Sequence, residues 1–481
     1  MNKEFIKISI ASFSIPMVIR LIPELIMYPY PIGFDTVTAY LSKIMYGNIL
    51  GLGLFDILKK TNLYYLVQQF VYNLVGDPIL TIKILGPILY GLLFLSIGLY
   101  TYQKYKVDLK HLVIGILIVS ISILALRIGW DLYRNMLGLF FAISTLTMLN
   151  LDDKMRVLAV LPASLTALSH ELATIFLGIT IIISSFYRWV KSDYIDRDGL
   201  AALSILVGLF TYQRIDINNM SLNLPIVGIT LNNLYAESLT LLITYLVLVI
   251  PLAIPALYIL SKADDIELKV WLYASLVFSL IPVIGVFNLA SYRFILMSVF
   301  PLSVCIILFM RMIRYVNKRI NIIAFTAFIF VILSGSFYLV STPYTPYTVT
   351  YIVYSSIDHG IANDFPIGYL QNTLSLEDVE PLMNVLYMYA SMEDGDSKLI
   401  ISNLFIWISY LDSFPLQSNI IFYDWIKVGY RESLVTEPPI NSTVYILWFK
   451  DGEWYGLSPD SIFDEPVLSN ERFALFEASN L

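Results

Sequence analysis

The chain has 481 residues, 58% hydrophobic and 14% charged, with mean hydropathy +0.73 and a formal net charge of −7. A soluble domain has too little interior to hide that much apolar surface, so the composition selects a polytopic membrane protein. A single cysteine, Cys305, leaves no disulfide framework or cysteine metal site, and the acidic balance argues against nucleic-acid binding.

Apolar runs predict helices near 5–28, 78–102, 111–127, 135–150, 157–169, 171–187, 199–213, 237–261, 269–289, 294–310 and 320–341. Most approach the ~20 residues that cross a bilayer; 157–169 and 171–187 are short and read as a tilted hairpin or one broken helix. Lys3 and Lys7 precede the first run, which has no small-residue cleavage site and reads as a retained helix. Taking all eleven runs as crossings, with the N-terminus inside, puts 16 of the 25 Lys and Arg of residues 1–341 on inner segments. The C-terminus then falls outside.

Charge marks the domain boundary. Residues 1–341 carry a net of +7 and residues 342–481 a net of −14. The first region is read as the membrane domain and the second as an acidic extracytoplasmic domain. In the latter, strand-like runs at Lys398–Ile408, Asn419–Tyr423 and Ser442–Lys450 alternate with a helical stretch at Leu376–Met392, which predicts a compact α/β fold. The acceptor sequons at Asn219 and Asn441 both fall on the predicted outside.

The outer segments concentrate the polar chemistry. The first is the long loop 29–77, whose stretches 36–58 and 63–75 have the spacing of amphipathic surface helices. It opens with Tyr28-Pro-Tyr-Pro-Ile-Gly-Phe-Asp35, which sets one carboxylate in a turn at the end of the first helix. Asp35 is either a solvated loop residue or a general base at the membrane edge. Asp131 is a second acid, a metal ligand, or the partner of Arg127 or Arg134. Arg20 and Glu24, four apart, can pair on one helix face. His170-Glu171 lies where two short runs meet, as a core hydrogen-bonded pair or as part of a ligand set; no HExxH spacing accompanies it. Arg293 is shaped either to hold a phosphate or to anchor a helix at the interface, and Arg214 beside Asp216 is a similar case. There is no Walker A loop, no GxGxxG after a strand, no GxSxG and no CxxC.

The layout resembles the membrane glycosyltransferases of the C superfamily, which include protein mannosyltransferases, aminoarabinose transferases and oligosaccharyltransferase catalytic subunits. The resemblance rests on the Arg-containing first helix leading into Pro-Ile-Gly-Phe-Asp-Thr, the long amphipathic loop, the many crossings, the soluble outer domain and Tyr292-Arg-Phe-Ile-Leu-Met-Ser-Val-Phe-Pro301. It covers residues 5–341. It implies an inverting transferase in the cell membrane, moving a sugar from a polyprenyl (dolichyl) phosphate to a protein, lipid or glycan acceptor outside. Carried over, Asp35 is the catalytic acid/base residue, Asp131 a second acidic position, and Arg293 the holder of the lipid phosphate. Arg134, Arg127, His170, Glu171 and Arg214 complete the substrate-binding set. The cofactor this leaves open is a divalent cation, magnesium or manganese. The chain departs from the family in having one acid in the first loop and no Trp-Trp-Asp-Tyr-Gly signature, which argues against transfer to asparagine. Two other classes compete: a transporter or flippase for a lipid-linked or small polar substrate, and a non-catalytic membrane scaffold. The first expects charges at mid-helix and paired broken helices.

Overall fold

The computed structural model describes residues 3–33, 35–41, 43–44, 59, 62–151, 153–216, 221–222, 241–242, 244–281, 291–344, 375–392, 397–410, 420–423, 443–450 and 465–477. The helices are α1 (Lys3–Ile26), α2 (Leu63–Val75), α3 (Pro78–Tyr105), α4 (Leu109–Ser120), α5 (Ile123–Asp131), α6 (Tyr133–Leu149), α7 (Val160–Ser169), α8 (Glu171–Ser192) and α9 (Arg197–Arg214). A two-residue ladder of β1 (Ile215–Asp216) and β2 (Ser221–Leu222) follows. Then come α10 (Ile250–Lys262), α11 (Ile266–Leu280), α12 (Ser291–Leu296), α13 (Val299–Met312) and α14 (Lys318–Ser341). Both sequons, Asp56 and His359 lie outside the described residues.

Among the described residues, six helices are long and apolar enough to cross a bilayer, or seven if the bent pair α4–α5 is one span. This is a multi-pass helical membrane protein, and the count falls short of the eleven crossings expected from the apolar runs. Three of those runs show why. The 111–127 run breaks at Ser122, whose hydroxyl caps α5 by accepting from the Ala125 amide, and the two halves meet at 69°. The 157–169 run is a 3₁₀ turn followed by the 10-residue α7, roughly 15 Å of α-helix against a hydrocarbon core about 30 Å thick. α11 ends at Leu280, and 282–290 lie outside the described residues.

The chain divides into two compact units, Met1–Ile22 with Asn48–Phe70 and Ile84–Tyr338, and Pro23–Gly47 with Val71–Lys83 and Leu339–Leu481. In the first, α13 is the hub: every residue from Val299 to Phe309 is buried. Trp271 donates to the Met297 carbonyl at 2.9 Å and meets Phe300 and Phe176 at 5.2 and 5.6 Å between ring centroids. By contrast α14 keeps one broad apolar face outward, including Phe325, Leu333 and Phe337, as a lipid-facing helix should.

The close approach of α14 to the α4–α5 bend depends on one glycine. A Cβ built on Gly335 would sit 1.7 Å from the Ile121 carbonyl oxygen, a backbone atom with nowhere to move. Gly335→Ala is therefore expected to destabilise the membrane unit by about 1–3 kcal/mol, or to force the helices apart. Thermal unfolding of the purified variant in detergent measures it; a midpoint equal to wild type would refute the packing.

The second unit holds a sheet of order β4-β3-β5-β7-β6, from β3 (Lys398–Ser402), β4 (Ile420–Tyr423), β5 (Val444–Phe449), β6 (Leu468–Ser469) and β7 (Phe473–Glu477). β3 runs parallel to both neighbours, while β7 is antiparallel to β5 and β6. Helix α15 (Leu376–Met392) packs on β6 and β7, tied by Asn470 Nδ2 to the Pro381 carbonyl at 2.7 Å and by the Arg472–Asp378 ion pair at 3.0 Å. In this tail the predicted α/β character and the helix bounds match the structure. The first predicted strand differs: after Ser402 the chain turns into a 3₁₀ helix, Asn403–Tyr410, which packs on the π-helical turn Thr36–Leu41 of the first loop. In the same unit Glu24 and Lys83, both buried, pair at 3.0 Å.

Candidate functional site

A break between two helices starts the site. α7 ends at Ser169, His170 is extended (φ −158°, ψ 134°), and α8 begins at Glu171. The break sets Glu171 in the first turn of a 22-residue helix, where the exposed amides favour a carboxylate. Gly138 of α6 makes room for it: a Cβ there would lie 2.7 Å from the His170 Cβ and 3.0 Å from that of Ala173.

Three helix ends converge on this break. α6 supplies Arg134 near its start and α9 supplies Arg214 at its last residue. Arg134 Nη2 donates to Glu171 Oε1 at 3.1 Å, Arg214 Nη2 donates to the same oxygen, and His170 Nε2 lies 3.9 Å from Oε2. Beside them is a cavity of about 210 Å³, lined also by Lys59, Asn62, Tyr65 and Gln213. Asn62 fixes its rim by accepting from the Tyr64 amide at 3.0 Å, as the cap of α2, and donating to the Ser169 carbonyl. Lys59 lies 5.8 Å over the Tyr212 ring and Arg214 5.0 Å over that of Phe210.

Among the described lining residues there are three cations and one carboxylate. Burial, then the charges of Arg134, Arg293 and Arg214, push the His170 imidazole down to about 3 against the opposite pull of Glu171, so it is neutral at physiological pH. Its Nδ1 is buried without a hydrogen-bond partner, as is Arg214 Nε. Chemically, the cavity can bind an anion through guanidinium and ammonium donors and read a neutral polar group through His170, Asn62 or Gln213.

The other sequence-predicted residues fall in different places. Arg127 and Asp131, both buried, form an ion pair one turn apart on α5, and Arg127 lies 5.7 Å over the Tyr292 ring. Neither lines the cavity. Arg293 opens α12 half-buried, near enough to depress the His170 pKa. Arg20 is fully buried and donates to the Gly129 and Trp130 carbonyls at 2.7 and 2.8 Å, bracing the end of α5. Asp35 is half-buried and belongs to the second unit. There its loop is seated by Ile32, Val37, Tyr40 and Leu41, all buried, and by Tyr30, edge-on to Trp407 at 5.3 Å. Among the described residues no group of three or more His, Cys, Asp or Glu could hold a metal ion, so no ligand set for magnesium or manganese is assembled there.

Four residues singled out from the sequence, Arg134, His170, Glu171 and Arg214, thus meet around one cavity. Sequence reasoning missed Lys59, Asn62, Tyr65 and Gln213, which border it from the long loop, α2 and α9. Only Asn62 left a signal, an amide directly before a helix-forming run.

No known family model matches this chain, and no curated protein matches it in sequence.

Proposed function

We propose that this protein is an integral-membrane glycosyltransferase that moves a sugar from a polyprenyl phosphate to an acceptor outside the membrane. The observation that carries the reading is the gathering of Lys59, Arg134 and Arg214 around a single carboxylate at a helix break, in a chain dominated by apolar helices. A donor on a lipid phosphate asks for such a place: an anionic headgroup site on a protein embedded in the bilayer where the donor's tail dissolves. The size fits too. About 210 Å³ is below the roughly 300 Å³ at which drug-sized pockets begin, enough for a phosphate with one small sugar and not for a long glycan.

In this reading the acceptor hydroxyl gives its proton to a general base, the role that the resemblance carries to Asp35, as the acceptor oxygen bonds to the sugar's anomeric carbon. The bond from that carbon to the phosphate oxygen breaks, and the electron pair leaves with the lipid phosphate. Arg134 and Arg214, with Arg293 nearby, stabilise the charge that develops on it. The attack and departure lie on opposite faces of the sugar, so its configuration inverts. We place the acidic C-terminal domain on the outer side with the acceptor, on grounds of charge. The inner loops then coincide with Lys104, Asn150, Arg156, Arg188 and Asp265, which converge in one ion network.

The test is turnover of a panel of radiolabelled polyprenyl-phosphate sugars by the full-length protein in liposomes, read as release of free polyprenyl phosphate. Wild type is expected to release it from at least one donor. Arg214→Ala should raise the KM for that donor about tenfold or more, the loss of a charged hydrogen bond to phosphate. No release from any donor, or an unchanged KM, would count against the assignment.

A further inference from the structure

We infer that the turns 104–111 and 311–319 form a docking surface for the headgroups of anionic phospholipids. They lie at the end of the helix bundle remote from the cavity, and their role does not depend on what the cavity binds.

Charge is divided unevenly at that end. Segments 151–156, 188–198 and 262–269 carry seven Lys and Arg against eight Asp and Glu, a net of −1. Within them Arg156, Arg188 and Lys191 are paired with Asp196, Glu267 and Asp264. Segments 104–111 and 311–319 also carry seven Lys and Arg, but against one acid, Asp108, a net of +6. Lys104 meets Glu267 and Asp265 at 2.6 and 2.9 Å, and Asp108 pairs with His111. Lys106, Lys110, Arg311, Arg314, Lys318 and Arg319 remain, all exposed. The charge bias that orients membrane proteins counts cations and gives no reason to part them from acids. An anionic partner on one side does.

The turn that presents them is firmly held. α13 ends at Met312 and passes through a 3₁₀ turn, Ile313–Tyr315, to Val316, which is extended and 7% exposed. Asn321 Nδ2 donates to the Ile313 and Val316 carbonyls at 2.8 and 3.2 Å, closing acceptors that a helix end leaves open. Asn317 Oδ1 accepts from the Arg319 amide at 2.9 Å and so caps α14. Arg311 Nη1 donates to the Tyr105 carbonyl at 2.6 Å, which ties this turn to the one after α3. Val316 points inward, while Arg314, Lys318 and Arg319 are exposed beside Tyr315, itself 83% exposed.

The neighbouring surface says what covers the patch. Lys318 and Arg319 lie one helical turn before Ile322 and Ile323, 56% and 47% exposed, where the outward apolar face of α14 begins. Cations at the start of a lipid-facing stripe sit at headgroup depth, and an exposed tyrosine suits the same layer. The anions at that depth belong to phospholipids, and each basic side chain near such a surface adds to the attraction.

The experiment is electron paramagnetic resonance of trace spin-labelled lipid, with the full-length protein reconstituted in phosphatidylcholine bilayers. Labelled phosphatidylglycerol is expected to associate with wild type about three- to tenfold more strongly than labelled phosphatidylcholine. The triple variant Arg314→Gln, Lys318→Gln, Arg319→Gln should bring the two lipids within about twofold of each other. A second triple variant, Lys154→Gln, Arg197→Gln, Lys262→Gln, removes the same charge from the other half of this end and should keep the preference. All six side chains are exposed, so neither variant disturbs the core. Excess inorganic phosphate at constant ionic strength should leave the preference unchanged, because the patch takes its anions from the bilayer. No preference in wild type, a preference that survives the first variant, an equal loss in both variants, or displacement by phosphate would each overturn the inference.

Discussion

Asp35→Asn is expected to lower the rate of sugar transfer by about a hundredfold or more, the usual contribution of a positioned general base. The substitution is nearly isosteric, and it removes the group that accepts the acceptor's proton. The loop around it is held largely by apolar packing. Ile32, Val37, Tyr40 and Leu41 are buried beneath the turn, the Val37 amide bonds the Gly33 carbonyl at 3.3 Å, and Tyr30 packs edge-on to Trp407. The variant is expected to keep its fold and its KM for the lipid-linked donor, with the loss confined to kcat. Initial rates on a donor that wild type turns over, set beside an unfolding curve, check both halves. A rate within twofold of wild type would end the assignment of Asp35 as base.

The second large effect concerns stability. Glu267→Gln should destabilise the membrane unit by about 3–5 kcal/mol, the cost of breaking a buried ion pair from one side. Glu267 is 1% exposed and binds Lys104 at 2.6 Å, Arg188, and the Asn150 amide and Tyr100 hydroxyl at 3.0 Å each. The same network continues through Asp196, which accepts from Arg156 and Arg188, and Asp265, which takes Lys104 at 2.9 Å. It joins α3, α6, α8 and α11 at the ends of α6 and α8 remote from Arg134 and Glu171. Along α8 those ends are roughly 25 Å apart. Neutralising Glu267 leaves Lys104 and Arg188, both partly exposed, each with one carboxylate fewer beside a buried acid. Asp264→Asn is the control: its bridge to Lys191 joins two exposed groups and should be worth nothing measurable. A markedly lower unfolding temperature for the first variant and none for the second is the expected pattern. Equal midpoints would show this network to be dispensable.

How much of this was legible beforehand follows from the range over which each force acts. Bilayer partitioning and helix propensity add up along contiguous residues, so the class and the helix Leu376–Met392 could be read from the sequence. The strand cores at Ile420–Tyr423 and Val444–Phe449 were readable for the same reason, since alternation is local. His170, Glu171, Arg134 and Arg214 stood out because charges beside apolar runs are costly and rarely idle. Their common cavity did not. Glu171 takes Arg214 from 43 positions away and Lys104 takes Glu267 from 163 away, and no spacing encodes such pairings. The break at Ser122 was hidden, because apolar residues continue on both sides of it, whereas the one at His170 was legible as the meeting of two short runs. What bends the chain there is a capping hydroxyl in one case and room beside Gly138 in the other. Hydrophobicity decides locally which segments leave water. Partner choice among the few charges that follow them is decided by packing between distant helices, because a buried ion must find a counter-charge wherever the fold brings one within reach.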